Sequence, residues 1–437
     1  MLARCTTFFL LIVCYLNFSH NSISAQTIES ASFAVQEKNN LAIGFISTTI
    51  NYPILKRTNF NLNGGFQFIG SYFGNRGGYF AFGYKVESLF LTSKKIKFGL
   101  STSLLAGGGG GAPDKDGWLV QTSAFTQFLT FNKLNLKAGL AYTYVSSGMI
   151  QGLSPFLGLN FNMYSKENQF KINSIYPEFG FGIYNHQKLA FIGTGLNWSS
   201  RKLAGDVSIH ALANAYGGYM QSLASIGYSF KLNQFSFSPG IIVGFGGGGA
   251  ASVGGGALCG VQFSSHYLIN KINLGLKYQM ITAPFDQFNY NALFFSVGKS
   301  LNDSTQLKFD WQPVLKVYNG NNGFGNIGIR FLGIKRSHFS LLGSTYWAFT
   351  DNRGAYAEGL FETIIKPVNS IPVYSIISAG AGAGAGINGK KESLIVGVGI
   401  GISSLSNTFP FSIEISAWKG GNIPLISTSL IYKPEFD

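Results

Sequence analysis

The chain repeats itself three times. A turn leading into a strand reads Asn75-Arg76-Gly77-Gly78-Tyr79, then Ala215-Tyr216-Gly217-Gly218-Tyr219, then Asn352-Arg353-Gly354-Ala355-Tyr356. A glycine-rich strand end follows each at Ala106–Gly111, Gly244–Ala250 and Ala379–Gly386, and a basic pair precedes each at Lys56-Arg57, Arg201-Lys202 and Lys335-Arg336. Three unrelated signals recurring in one order, about 135–145 residues apart, mark duplication of a structural unit. The period is far longer than that of common solenoids, so each copy is a block of several strands, at about 28–165, 166–302 and 303–437.

Within a block the strand period is plain. Between Asn59 and Tyr72 the even positions Phe60, Leu62, Gly64, Phe66, Phe68, Gly70 and Tyr72 form one face, against Asn59, Asn61, Asn63, Gly65, Gln67, Ile69 and Ser71 on the other. Leu134–Tyr144 and Lys271–Met280 alternate in the same way. Strands of about 11–14 residues exceed the globular norm and match a tilted membrane crossing. Turn signals recur near 39, 57, 75, 94, 114, 133, 150 and 166, then near 186, 201, 216, 233, 253, 270, 286 and 303, then near 320, 336, 352, 368, 389, 406 and 421. They imply eight strands per block and about 24 in all, an even number that returns both chain ends to one side.

Composition decides what surrounds those strands. Only 11% of residues are charged and 15% are aromatic, with 57 glycines, whereas a water-facing domain carries about a quarter charged residues. No stretch after Ala25 approaches the roughly 18 uninterrupted apolar residues of a spanning helix. A closed β-barrel is the remaining way to satisfy a backbone in lipid. A soluble β-sandwich would alternate too, but low charge and long strands weigh against it. The expected fold class is all-β: a transmembrane antiparallel β-barrel of about 24 strands with three internal eight-strand repeats. It should form a single domain over 26–437 with pseudo-threefold symmetry.

Residues 1–25 read as a cleaved signal peptide, with Arg4 in the basic region, Phe8–Phe18 apolar, and Ser22-Ile23-Ser24-Ala25 before the cleavage point. Acylation at Cys14 is disfavoured by the bulky Val13 before it. Cys259 would then be the one cysteine of the mature chain, a packed thiol.

Every second turn falls on the side of the chain ends, and these turns are short and basic. Lys56, Arg57, Lys94, Lys95, Arg201, Lys202, Lys335 and Arg336 define this rim, which the barrel asymmetry of long outer loops and short inner turns places in the periplasm. Its charge is either ordinary turn composition or an attraction to anionic lipid, peptidoglycan or an acidic partner. The glycine-rich strand ends supply one spoke per copy, Gly109, Gly247 and Gly382, where a wide barrel could pinch inward or fold into lobes.

Catalytic and cofactor patterns are missing. Gly107–Gly111 lacks the Lys-Ser/Thr of a phosphate loop, and His186, His210, His266 and His338 stand apart with no metal-ligand spacing. Glu87, Glu178, Asp206, Asp310, Glu358, Glu362 and Glu414 fall inside strands and should face the lumen, as structural rather than catalytic groups. No cofactor, metal or nucleic-acid partner is expected.

Ala25-Gln26 at the cleavage point, aromatic-glycine strands joined by short basic turns, and a final strand ending Leu430-Ile431-Tyr432 resemble the outer-membrane β-barrels of Bacteroidota. The resemblance covers the whole mature chain and is compositional. The tail Lys433-Pro434-Glu435-Phe436-Asp437 departs from the terminal aromatic usual in that class, and no plug domain precedes the first strand. It implies a cell outer-membrane location, with outer-membrane lipid as the surrounding partner. Three functions then compete. The first is a porin-like passive channel or structural barrel without enzymatic activity. The second is a membrane-embedded subunit of an outer-membrane secretion or barrel-assembly machine, in contact with other outer-membrane or periplasmic proteins. The third is a soluble secreted β-repeat adhesin.

Overall fold

A channel as wide as 24 strands is not what forms. In the computed structural model each repeat closes on itself, giving three eight-stranded barrels in one chain. The described residues lie between 27 and 432; residues 1–26, 37–41, 75–76, 92, 94, 110–115, 132–133, 148, 163–169, 201, 215–218, 249–250, 252, 270–271, 301–310, 320–322, 336–338, 351–355, 368–371, 384–393, 404–410, 421–425 and 433–437 lie outside them.

Barrel 1 comprises β1 (Thr27–Gln36), β2 (Ala42–Lys56), β3 (Phe60–Phe73), β4 (Tyr79–Leu91), β5 (Ile96–Gly109), β6 (Trp118–Phe131), β7 (Leu134–Val145) and β8 (Gln151–Asn162). Barrel 2 comprises β9 (Phe170–Tyr184), β10 (Gln187–Ser200), β11 (Leu203–Leu212), β12 (Met220–Tyr228) with its three-residue continuation β13 (Phe230–Leu232), β14 (Phe235–Gly247), β15 (Ala257–Ile269), β16 (Ile272–Thr282) and β17 (Asn289–Ser300). Barrel 3 comprises β18 (Trp311–Asn319), β19 (Phe324–Lys335), β20 (Phe339–Ala348), β21 (Ala357–Ile365), β22 (Val373–Ala383), β23 (Leu394–Ser403), β24 (Phe411–Lys419) and β25 (Ile426–Tyr432). All neighbours are antiparallel, and every expected turn falls between two strands. One two-residue turn is Asn185-His186, where both residues have positive φ (45° and 62°), as a primed hairpin turn requires.

The all-β class, the antiparallel pairing and the three eight-strand repeats agree with the sequence analysis; the single wide barrel is corrected. Its seam would join β8 to β9 and β1 to β25. Instead Thr27 pairs with Asn162 across β1–β8, Ser300 with Ser174 across β17–β9, and Val314 with Ile431 across β18–β25. An eight-stranded barrel has an interior just wide enough for side chains to fill. Closing each repeat therefore places its polar face in a small packed core rather than along a wide water-filled bore.

The three barrels stand side by side around an apolar hub. Phe68 and Phe80 of barrel 1 each lie 5.7 Å from Phe245 of barrel 2, and 5.9 and 6.4 Å from Trp347 of barrel 3. Barrels 2 and 3 meet at Phe179 and Phe361, 5.3 Å apart. The Tyr84 hydroxyl donates to the Gly328 carbonyl at 3.3 Å, and the Gly77 amide donates to the Gly254 carbonyl at 3.1 Å. These contacts align the barrels, so the chain-end rims face one way and the opposite rims the other. Away from the hub the outer walls present exposed Phe98, Leu140, Leu157, Phe181, Phe263, Tyr278, Val398, Ile400 and Ile415. Among the described residues no helix is long and apolar enough to cross a membrane.

Candidate functional site: three filled lumens and a basic rim

Alternation sends every second residue into a lumen, and in mid-barrel those residues are ionic. In barrel 1 the Lys137 ammonium donates to Glu29 and Glu87, both at 2.6 Å, while Lys85 donates to Glu29 at 2.9 Å. Since β1, β4 and β7 are not neighbours in the sheet, these bonds cross the interior. Two ammonium groups meet two carboxylates, a balanced set. Lys137 also sits 4.6 Å from the centroid of the Phe125 ring.

Barrel 2 builds the same device from other residues. Lys277 donates to Glu178 at 3.0 Å and to Asp206 at 2.9 Å, and His210 Nε2 lies 2.8 Å from Glu178. The hydroxyls of Tyr219 and Tyr290 both donate to Gln221 Oε1, at 2.9 and 2.7 Å. That leaves the Gln221 amide nitrogen as the donor to His210 Nδ1 at 3.2 Å, so Nδ1 accepts and Nε2 carries the proton toward Glu178. Gln262 and Ser225 complete the ring around Asp206.

Barrel 3 uses a guanidinium. Arg330 grips Glu414 through two 2.8 Å bonds and Glu362 through bonds of 2.5 and 3.0 Å, a double fork that a lysine could not match. Above it Lys316 pairs with Glu358 at 2.5 Å and lies 3.8 Å from the Trp418 ring centroid. The hydroxyls of Tyr318 and Tyr356 donate to the other oxygen of Glu358.

Each ionic layer is capped on the side away from the chain ends by an apolar plug. In barrel 1 the plug contains Val35, Ile43, Phe45, Tyr79, Leu105 and Val145; in barrel 2, Tyr184, Leu212, Tyr219, Leu258 and Phe288; in barrel 3, Phe324, Tyr356, Ile395 and Trp418. The repeated tyrosines Tyr79, Tyr219 and Tyr356 are each fully buried here, which gives the repeated turn motif its structural role. Lys137 and His210 are 0% exposed and Arg330 is 1% exposed, so the centre of each layer is closed to water.

Glu87, Glu178, Asp206, Glu358, Glu362 and Glu414 all face the lumen as the alternation requires; Asp310 lies outside the described residues. Their partners Lys85, Lys137, Lys277, Lys316 and Arg330, and the carboxylate Glu29, were not singled out. Lys137 and Lys277 already stood on the polar face of their strands, and that was the available signal. Of the isolated histidines, His210 belongs to an ionic layer, His266 lies 3.2 Å from the Asn197 amide, and His186 is in a turn; His338 lies outside the described residues. No group of metal-ligating residues occurs among the described residues.

On the rim, Lys56, Arg57, Lys95 and Lys202 are exposed, and Lys335 ends β19 on the same side. Lys94, Arg201 and Arg336 lie outside the described residues. The glycine spokes differ from one another. Gly109 (φ +106°) ends β5, where a Cβ would strike the Gly78 carbonyl; Gly247 (φ +152°) ends β14, where it would strike the backbone of Gly77 and Gly78 in the neighbouring barrel. Gly382 faces the lumen of barrel 3, where a Cβ would lie 2.7 Å from Glu358 and 2.9 Å from the Tyr356 hydroxyl.

Fold and site together define an all-β protein of closed antiparallel barrels with packed ionic interiors. No protein-family model matches the chain, and no curated protein sequence matches it. Among solved structures it is similar to the siderophore receptor PirA from Acinetobacter baumannii (9% identity, 94% of this chain and 81% of that one, TM-score 0.32) and to a mutant of the ferric enterobactin receptor PfeA from Pseudomonas aeruginosa (9%, 95% and 81%, TM-score 0.32). It is also similar to OccK11 of Pseudomonas aeruginosa (10%, 95% and 98%, TM-score 0.26). At these scores the likenesses carry no argument about function.

Proposed function

We propose that the chain is an integral outer-membrane protein whose three barrels form a structural, non-conducting and non-catalytic body. One observation carries this reading: each lumen is occupied at mid-height by a cross-linked ionic layer whose members are buried from solvent. Ions crossing a barrel would have to break several charge-assisted hydrogen bonds at once and pass an aromatic plug. The same burial keeps the lumen carboxylates out of reach of any substrate. The apolar outer walls support the membrane placement, since exposed aliphatic and aromatic side chains on this scale suit lipid and not water. The full-length protein reconstituted in a planar bilayer should add no ionic steps to the lipid baseline; reproducible open-channel steps would restore the passive channel. A body with filled lumens works through its outer surfaces, which keeps a role as the membrane-embedded part of a larger outer-membrane assembly as the second reading. A soluble adhesin would instead be recovered from the periplasmic or secreted fraction, whereas the barrels should resist carbonate extraction and shift on unboiled gels.

A further inference from the structure

We propose that the chain-end rim is a collar that selects anionic phospholipid headgroups in the leaflet it meets, an inference that rests on the membrane reading above. Four observations converge. First, exposed basic residues neighbour exposed apolar ones along the chain at this rim: Lys56 follows Leu55, Lys202 precedes Leu203, and Lys231 stands between Phe230 and Leu232. Successive strand residues point to opposite faces, so these side chains stand at the barrel mouths beside the apolar wall, and their length lets the charge reach headgroup depth. Second, an aromatic girdle lies at the same height, with ring centroids 5.4 Å apart for Phe60–Phe90, 4.9 Å for Tyr228–Phe230 and 4.4 Å for Phe235–Tyr267. Aromatic residues of this kind mark the membrane–water interface.

Third, the signs differ between rims. Among the described residues no Asp or Glu stands on the chain-end rim, whereas the opposite rim mixes exposed Lys188 and Lys419 with exposed Asp286. By sequence the two inter-barrel linkers add Lys166 and Lys308 with Glu167, Asp303 and Asp310, outside the described residues. Fourth, the basic residues are divided among the barrels, on the β2–β3 and β4–β5 turns of barrel 1, at the foot of β10–β11 and on β13 of barrel 2, and at the end of β19 in barrel 3. The β2–β3 and β10–β11 connections are two or three residues long, so the charge stays close to the barrel mouths and does not project. A discrete acidic protein would need one concentrated patch. A leaflet of negative headgroups fits charge divided among the barrels, and each basic residue near such a surface contributes roughly a five-fold enrichment.

The test uses the full-length protein in detergent, titrated with phosphatidylglycerol or phosphatidylcholine and read by native mass spectrometry. Several phosphatidylglycerol molecules should be retained where phosphatidylcholine is not, with a preference that weakens as salt rises. The combined Lys56→Gln, Arg57→Gln, Lys95→Gln, Lys202→Gln and Lys231→Gln variant should lose most of that preference. Arginine at the four lysine positions should keep it, and so should Lys188→Gln with Lys419→Gln on the opposite rim. Lys202→Gln with Lys231→Gln alone, the milder variant, should show a partial loss. Equal retention of the two lipids, or an unchanged preference in both rim variants, overturns the proposal. Retention of a soluble peptidoglycan fragment or acidic peptide without phosphatidylglycerol preference also overturns it, in favour of a periplasmic partner. The heat-dependent gel shift is scored on every sample: its absence in the unmutated protein would sink the barrel reading itself, a failure separate from that of the collar.

Discussion

The interiors of the barrels and the space between them are built from opposite chemistry. Inside, charge meets charge across a few ångströms, with Lys137 between Glu29 and Glu87 and Arg330 between Glu362 and Glu414. Between the barrels, Phe68, Phe80, Phe245 and Trp347 meet by ring contact, with few hydrogen bonds. The two regions do different jobs. A buried ionic layer holds opposite walls of one barrel to each other and fails all at once if a member is removed. In the membrane setting proposed above, a hub of rings loses only packing when a member is removed, since lipid tails are as apolar as the partner it leaves. The lumens should therefore set the stability of each barrel, and the hub only how the barrels sit together.

That contrast can be broken at its strongest point first. Arg330→Met leaves Glu362 and Glu414 facing each other without a cation and should destabilise barrel 3 by about 3–5 kcal/mol, read as a lower urea midpoint in detergent. Combining it with Glu362→Gln and Glu414→Gln should recover much of the loss. A single-site loss no larger than that of a lipid-facing substitution would refute the ionic account. Lys137→Met should act likewise on barrel 1.

Next comes the hub. Phe245→Ala removes the ring shared by Phe68 and Phe80 and should cost less, about 1–3 kcal/mol, because lipid or detergent fills the gap. Each barrel should stay closed while proteolysis of the linkers accelerates; melting of barrel 2 as deep as that caused by an ionic deletion would erase the distinction. Gly247→Val forces a side chain against the backbone of Gly77 and Gly78 and should likewise loosen the barrel 1–barrel 2 junction, by about 1–3 kcal/mol. Gly382→Val should instead disturb barrel 3 alone, so the two substitutions should add. The smallest effect is expected at Val398→Ala on the outer wall, about half a kcal/mol or less in the same urea titration.

What could be read in advance follows from what is local. Alternation and turns are properties of neighbouring residues, so the strand count, the turn positions and the lumen-facing carboxylates were legible in segments such as Leu134–Tyr144 and Lys271–Met280. Closure is not local. Every hairpin from β1 to β8 has the same pairing in one wide barrel as in three narrow ones, and only the seam differs. Two clues pointed to the seam. The connections 163–169 and 301–310 are longer than the 201–202 turn on the same side, and each repeat carries both acids and bases at its polar positions. The hub was hidden for a related reason: Phe66, Phe68, Phe80 and Phe82 read as lipid-facing from their alternation, and nothing in their own strands says that a neighbouring barrel covers them. The filled lumens follow from closure, since the same polar residues on a wide barrel would line water.

The seam is therefore the place to test the account. In a Cys259→Ala background, Ser30→Cys with Leu159→Cys places thiols on directly paired residues of β1 and β8. Mild oxidation of the membrane-inserted protein should form that disulfide in high yield, seen as an altered migration that reductant reverses. Ser30→Cys with Leu430→Cys, which would join the first strand to the last in a single wide barrel, should stay reduced. The opposite pattern, in protein that still shows the heat-dependent gel shift, would contradict three separate barrels.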